Sequence, residues 1–444
     1  MSASPALQSF DRIWEARQAR VARDLSPMQA FRRQAMSEFT RLGLPTLRDE
    51  SWHYTHLRLL AQRAFSVADA AAAAPAPIAP DAGVSWLRAA ENWPQLVLLN
   101  AAPDLHAAAG VPAGMTVASL RDIERTDPQR LAALMLPLSD AEQQRWVLLN
   151  SALFEDGLHI RISDTCATPL VILHLCAPGD AQQFINPRII IEAEPGSSAV
   201  IIEHHVSGNA NAVFCNSVCG MDLRENARLE HFRVFSSNSA ATHADHLQVR
   251  AGAGAVLRQH TICLDGAFVR TNLQATLAAP QAQLESFSLL TGHGARHTDC
   301  VNIVTHAAPQ TQSRQTARVL ASGRSRAIFN SKVIVSPGAQ KADSNQSCRG
   351  LLLSPTAEID TRPQLEIHAN DVKCAHGATT GRLDPDMLFY LLARGLDRGT
   401  AQSLLVFAFL ADVLTGVSMP SLRDGIESKL IEQLPDSQLL RQFR

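Results

Sequence analysis

The chain has 444 residues, 46% of them hydrophobic and 18% charged, with a formal net charge of -2. This composition supplies a sizeable core and argues against extended disorder. The near-neutral charge gives no electrostatic reason to expect nucleic acid or an anionic membrane as a partner. No apolar run approaches the roughly 18 residues of a membrane span, and the first residues lack the apolar core of a secretory signal. We therefore expect a folded, soluble, cytoplasmic protein.

The first region is predicted to be helical over residues 1–75. Its apolar residues recur at spacings of three, four or seven, which places them on one helical face: Phe10, Ile13, Trp14, Val21, Phe31, Ala35, Phe39 and Leu42. The segment 70–83 is rich in alanine and proline and has few side chains to bury, so it predicts a surface loop or linker. We place the first domain boundary there.

Residues 76–156 are predicted to form a mixed connecting region. Residues 96–100, LVLLN, have the pattern of a short buried strand, and residues 119–134 have that of a helix. From residue 157 the pattern changes to short strand-like runs separated by Gly, Pro, Asn and Ser, with no convincing helix before Asp384. We expect one long array of strands over residues 157–383.

The array contains a repeat, marked by alanines at the start of similar strand patterns: Ala199, Ala227, Ala255, Ala282, Ala327 and Ala357. Their separations are 28, 28, 27, 45 and 30 residues, so one interval is irregular. A fixed period filled by strands and turns is typical of a solenoid, because each coil buries its apolar face only by stacking on its neighbours. We predict a right-handed parallel β-helix; the alternative is a β-sandwich, whose strands need no constant coil length.

Polar residues within the repeated strands are predicted to face outward and to form rows along the solenoid: Glu203, His204, Glu230, His231, Arg258, His260 and Glu285. These rows have two interpretations. One is an ordinary solvated face, and the other is a binding or tunnel-lining surface.

The C-terminal region, residues 384–444, is predicted to be helical. Asp384 followed by Pro385 is typical of a helix start, because aspartate caps the first turn and proline presets it. A second helix is predicted from about Asp397. We expect two packed helices to cap the end of the solenoid and protect its last open strand edge.

Well-marked enzyme motifs are missing from the sequence. It contains no G-x-x-x-x-G-K-[ST] loop, no complete dinucleotide fingerprint, no G-x-S-x-G elbow and no H-E-x-x-H pair. We therefore expect a non-catalytic chain, and any nucleotide hydrolysis would come from a partner.

The eight cysteines include no C-x-x-C pair, which favours reduced core thiols over a disulfide framework. Cys374 and His376 stand two residues apart, so on a strand they would share a face where thiolate and imidazole could bind iron. The alternative is a buried structural pair. Three nearby residues, Glu366, His368 and Asp371, either add ligands or line a solvated strand.

Three stretches resemble the SufB/SufD family: DVKCAHGATTGR at 371–382, the following MLFYLLARGLDRGTAQSLLVFAF, and the N-terminal LPTLRDESWHYTHLRLL at 44–60. These stretches lie towards the two ends of the chain, so the resemblance brackets almost the whole chain. It is specific at the two ends and diffuse through the repeats. SufB members carry a glutamate after the matching histidine, where this chain has Gly377, which favours the SufD branch. Cys348 lies where SufB members have an essential cysteine.

The resemblance implies a scaffold for iron–sulfur cluster assembly with a parallel β-helix between helical ends. It implies that SufB pairs with the β-helix and that the SufC ATPase binds the C-terminal helices, with a homodimer as the possible form in isolation. His376 matches a histidine implicated in cluster assembly at the SufB interface, and Cys374 and Cys348 are further candidate metal ligands. The cargo would be iron or a nascent Fe–S cluster shared with SufB, and flavin binding in the complex stays open.

Two functions from other classes compete with the scaffold. The first is a β-helix enzyme acting on carbohydrate, which would need clustered carboxylates and sugar-stacking aromatics, yet the chain has only five Trp and two Tyr. The second is a self-associating structural solenoid, which would form a stable homodimer indifferent to SufB and SufC.

Overall fold

A computed structural model describes residues 4–20, 27–67, 93–105, 110–135, 144–176, 182–207, 213–237 and 240–434. The predicted linker at 70–83 lies outside these residues.

Two long sheets, formed by alternate strands of the chain, make up the centre of the molecule. In the first sheet, all pairings along the repeated strands are parallel. Its strands are β1 (Ser66–Val67), β4 (Met115–Ser119), β5 (Gly157–Ile162), β7 (Gln183–Ile185), β8 (Arg188–Ala193), β10 (Val213–Leu223), β12 (Thr242–Ala251), β14 (Phe268–Leu277), β16 (His297–His306), β18 (Arg326–Val335) and β20 (Glu358–Ile367).

The second sheet takes the intervening strands, again in parallel register along the repeat. They are β2 (Gln95–Leu99), β3 (Ala102–Asp104), β6 (Leu170–Cys176), β9 (Ser198–Ser207), β11 (Arg228–Ser236), β13 (Val256–Asp265), β15 (Gln283–Gly292), β17 (Gln312–Ala321), β19 (Asp343–Leu352) and β21 (Lys373–Gly381). The prediction of a parallel solenoid is confirmed, and the strand predicted at 96–100 is β2.

The irregular interval in the alanine repeat arises because the chosen alanines belong to both sheets. Ala227, Ala255 and Ala282 each precede a strand of the second sheet, whereas Ala327 lies in β18 of the first. The position after Ala282 is Thr311, 29 residues later, whose carbonyl accepts a hydrogen bond from Asp343 as Ala282 does from Gln312. The period therefore continues without interruption, with a buried threonine in place of alanine.

The prediction that the repeated polar residues form outward rows is wrong for most of them. Glu203, His204, His231 and His260 are at most 2% exposed. Successive residues of a strand point to opposite faces, so neighbours such as Glu203 and His204 cannot share one face. Glu203 and His231 lie on the interior face, and the outer face of the second sheet is itself covered by helices.

Helices flank the solenoid at its N-terminal side. They are α1 (Pro5–Arg20), α2 (Pro27–Leu42), the short α3 (Arg58–Ala61), α4 (Leu120–Thr126), α5 (Pro128–Leu134) and α6 (Arg145–Leu153). The single helix predicted over 119–134 is two helices, because Asp127 caps a new helix that begins at Pro128. The sequence did not predict α6, whose residues are all buried against the first sheet.

The C-terminal helices are α7 (Pro385–Ala393), α8 (Arg398–Leu414) and α9 (Pro420–Gln433), of which only the first two were predicted. Asp384 caps α7 as expected, and the second helix begins where it was predicted, with Asp397 as its cap. The predicted end cap is wrong. Apolar residues of α8 and α9 pack on the outer face of the second sheet, beside residues such as Phe232 and Leu320, because that face carries apolar side chains that need covering.

Among the described residues, no helix has the length and apolarity needed to cross a membrane.

Candidate functional site

The last coil of the solenoid is open. Its strands β20 and β21 are the outermost strands of the two sheets, and their residues are exposed or half-buried, whereas earlier strands are mostly buried. An open strand edge presents unpaired N–H and C=O groups, which makes it a template for pairing with another chain. This coil carries two of the three candidate ligands.

His376 lies in β21, exposed, with Gln346 of β19 as its partner in the register. Cys374 pairs with Ser344 and is half-buried against the interior core. Burial raises the pKa of its thiol, although a hydrogen bond with the backbone of Ser344 acts in the opposite direction. Because the two residues stand two apart on one strand, they share a face, as predicted.

Cys348 lies one strand farther in, on β19, and pairs with Ala378 rather than with His376. It is 3% exposed and packs among apolar residues and small side chains such as Ala317. Burial, assisted by Cys300, raises the pKa of its thiol to about 12. The three candidates are therefore near one another in the register but do not form a three-ligand group. Within the described residues, groups of three potential ligand atoms within 4.8 Å of one another occur elsewhere in the solenoid.

A row of polar residues that the sequence did not predict runs from the early coils to His376. Successive strands of the second sheet place one polar residue at the same position in each coil, buried in all but the last: His231, Gln259, Ser286, Gln315, Gln346 and finally the exposed His376. Hydrogen bonds join many of these side chains to each other or to the facing sheet; His231 Nδ1 lies 2.8 Å from Gln259 Oε1, and Gln346 Nε2 donates to Ser331 Oγ at 2.8 Å. The recurrence of these polar residues at intervals of 27 to 31 residues is the sequence pattern from which the row could have been predicted.

At the buried end of this row, the carboxylate of Glu203 lies between two histidines. Its oxygens lie 2.9 Å from His174 Nε2 and 2.8 Å from His231 Nε2. Burial alone would raise the pKa of Glu203, but the two histidine hydrogen bonds outweigh it and hold that pKa well below its usual value. The interior of the early coils is thus charged and hydrogen-bonded rather than simply apolar.

Other polar residues near the terminal coil are engaged with one another. Glu366 lies 2.7 Å from Lys332 Nζ and 3.1 Å from His368 Nε2. Asp371 receives a hydrogen bond on its backbone oxygen from Lys341.

The C-terminal helices expose a second surface of interest. On α7, Met387, Phe389 and Tyr390 are between 56% and 71% exposed, whereas Leu388 is buried. A cleft of about 580 Å³ lies where α7 and the first half of α8 meet the late coils of the solenoid, with Leu352, Leu388 and Gln402 in its lining. A cluster of large exposed apolar side chains on one short helix is typical of a protein-binding surface.

The chain matches two family models. Residues 5–170 match "SufBD protein N-terminal region", and residues 176–409 match "SUF system FeS cluster assembly, SufBD core domain". The second match covers the repeated strands, the terminal coil and most of α8.

Curated relatives agree with these matches. The iron–sulfur cluster assembly protein SufD of Escherichia coli is 29% identical over 98% of both chains. A SufBD family protein of Synechocystis is 27% identical over 86% of both chains, and the chloroplastic protein ABCI7 of Arabidopsis thaliana is 30% identical over 54% of this chain and 51% of its own. The chain therefore belongs to the SufBD family of iron–sulfur cluster assembly proteins.

Proposed function

We propose that this chain is the SufD-type, non-catalytic scaffold subunit of a cytoplasmic SufBCD complex. In this proposal SufB pairs with the open coil of the solenoid, the SufC ATPase binds the C-terminal helices, and iron or a nascent Fe–S cluster is held transiently at the SufB interface. The observation that carries the proposal is the uncovered terminal coil with His376 on it. Flavin binding stays a prediction.

The open coil supports pairing with another β-helix. Strands β20 and β21 end both sheets, so a partner could extend both at once. An exposed long edge is otherwise an aggregation liability, which natural proteins cover or blunt. The same edge supports a homodimer when SufB is absent, with SufB displacing the second copy.

The placement of the candidate ligands supports a shared site. His376 is exposed, Cys374 is half-buried and Cys348 is buried with a raised thiol pKa. Three such residues do not complete a cluster site alone, so the remaining ligands would come from SufB. Movement of the C-terminal helices, driven by ATP hydrolysis on SufC, would then change access to the interface.

The proposal is tested by replacing His376 with Ala in the complex co-expressed with SufB and SufC. We expect the complex to assemble while iron and sulfide content falls at least tenfold. His368→Ala is the matched control, because His368 is exposed near the same coil but pairs with Glu366. Unchanged cluster content in the His376→Ala complex would refute the assignment of His376.

A further inference from the structure

The interior of the early coils holds a group of potential metal ligands far from the terminal coil. His205 of β9, Cys215 of β10 and His243 of β12 are each at most 3% exposed. One ligand atom from each lies within 4.8 Å of the other two. Cys215 and His243 are register partners in the first sheet, and His205 reaches them from the second sheet across the interior.

The hydrogen bonding of His205 sets this group apart from an ordinary polar core. Neither its Nδ1 nor its Nε2 has a hydrogen-bond partner among the described residues. The nearest carboxylate oxygen, of Asp245, is 3.9 Å from Nε2. A buried imidazole always carries at least one N–H, and leaving it unpaired is unfavourable. The ring itself is held in place by stacking against His174 and Phe235, at centroid distances of 4.0 and 4.5 Å.

His243 has the hydrogen-bonding pattern of a metal ligand. Its Nε2 lies 2.8 Å from Ser237 Oγ, while its Nδ1 has no partner among the residues described. Metal-bound histidines characteristically engage their second ring nitrogen in this way, which fixes the ring orientation.

We infer that His205, His243 and Cys215 bind one divalent transition-metal ion inside the solenoid. Two imidazoles and a thiolate suit borderline cations such as Zn²⁺, Co²⁺ and Fe²⁺. A tetrahedral centre with bonds of about 2.0–2.3 Å places its ligand atoms roughly 3.3–3.8 Å apart, so atoms now up to 4.8 Å apart would approach one another by at most about 1–1.5 Å on binding. Three protein ligands leave a fourth position for water or an exogenous ligand.

The adjacent group formed by His174, Glu203 and His205 is a weaker candidate. Its carboxylate, Glu203, already accepts hydrogen bonds from His174 and His231, so Glu203 needs no cation to balance its burial. In contrast, a cation would satisfy His205 and the free nitrogen of His243 together. Because the Cys215 thiol must lose its proton, metal binding is expected to weaken as the pH falls.

The test uses full-length protein carrying His376→Ala, so that the terminal coil contributes no histidine. Protein folded in the presence of Co²⁺ is expected to retain about one equivalent after dialysis and to show thiolate-to-cobalt charge-transfer absorption. Cys215→Ser should abolish that absorption, and His205→Gln should weaken Co²⁺ retention at least tenfold. Cys263→Ser is the matched control, because Cys263 is a buried thiol outside the group. Retention without thiolate absorption, or no retention, would overturn the inference.

A second measurement does not depend on the folding of variants. X-ray absorption of the Zn²⁺-loaded protein, still with Cys215, should show one sulfur near 2.3 Å and two nitrogens near 2.0–2.1 Å. A shell of oxygen and nitrogen alone would exclude Cys215 as a ligand. The result is independent of SufB pairing, since neither experiment contains SufB.

Discussion

At the scale of single residues, the N-terminal motif that resembles the family has a visible structural role. Trp52 is 2% exposed, and the Arg270 guanidinium lies 3.6 Å from the centre of its ring. Arg270 also bonds to buried Asp299, which accepts a hydrogen bond from Thr55 Oγ1 at 2.5 Å. The motif therefore fastens the N-terminal region to the first sheet of the solenoid.

Removing the Arg270 side chain should destabilise the protein strongly. Arg270→Ala leaves Asp299 as a buried carboxylate without its cation, which costs about 3–5 kcal/mol of unfolding free energy. Arg362→Ala is the control, because the Arg362 pair with Glu50 is exposed and such pairs contribute about 0–1 kcal/mol. Urea unfolding measures both, and equal losses for the two variants would contradict this role of Arg270.

The sequence identified the motif and the candidate ligands but not their environments. The spacing of Cys374 and His376 placed them correctly on one face of a strand. The interior position of Glu203 and His231 was missed because polar residues were assumed to face solvent. Their burial depends on partners such as His174, which lies 29 residues from Glu203 in sequence and is brought beside it only by the solenoid register.

At the scale of elements, the repeat length predicted the solenoid, the Asp384 cap predicted the start of α7, and a helix was correctly predicted from about Asp397. The position of those helices could not be predicted in the same way. A cap on the last coil and a cover on a sheet face both bury the same apolar helix stripe. The choice depends on which surface offers matching apolar area, and the second sheet presents it through residues such as Phe232 and Leu289.

Neighbouring residues of α7 should separate folding from partner binding. Phe389→Ala removes a ring that is 71% exposed, so the unfolding free energy should change by no more than about 0.5 kcal/mol. We expect SufC binding to weaken at least tenfold, as for a central aromatic contact. Leu388→Ala should instead destabilise the fold by about 2–4 kcal/mol, because Leu388 is buried. Calorimetric titration measures the affinity for SufC, and undiminished binding by Phe389→Ala would exclude this surface as the SufC contact.

At the scale of the whole molecule, buried histidines make stability depend on pH. Burial lowers the pKa of His246 to about 3 and the pKa values of His297 and His306 to about 4. In the unfolded chain histidine titrates near 6.5. Below that value the unfolded state binds protons that the folded state does not, so stability declines as the pH falls from about 6.5 towards 4.

The pH effect can be assigned with His306, whose ring nitrogens lie 2.8 Å from Thr311 Oγ1 and 2.9 Å from Ser313 Oγ. His306→Gln should have a lower Tm at neutral pH but a shallower decline between pH 6.5 and 4. The slope of the unfolding free energy against pH should decrease by up to about 1.4 kcal/mol per pH unit. Parallel curves of Tm against pH for the two proteins would show that His306 does not contribute.

The open terminal coil is the feature of the whole molecule on which the scaffold proposal depends. In β21 the N–H of Lys373 donates to Ala342, and successive residues of a strand direct their N–H groups to opposite sides, so residues an odd number apart differ in direction. The N–H of Ala378 therefore points to the open side. Ala378→Pro removes that edge donor without breaking the ladder to β19, whereas Ala378→Val retains it.

Co-purification with SufB therefore tests the account most directly. The wild-type chain and Ala378→Val should each form a one-to-one complex with SufB, whereas Ala378→Pro, with an unchanged Tm, should bind SufB at least tenfold more weakly. Equal binding of SufB by Ala378→Pro and the wild-type chain would contradict pairing through the open edge of the solenoid.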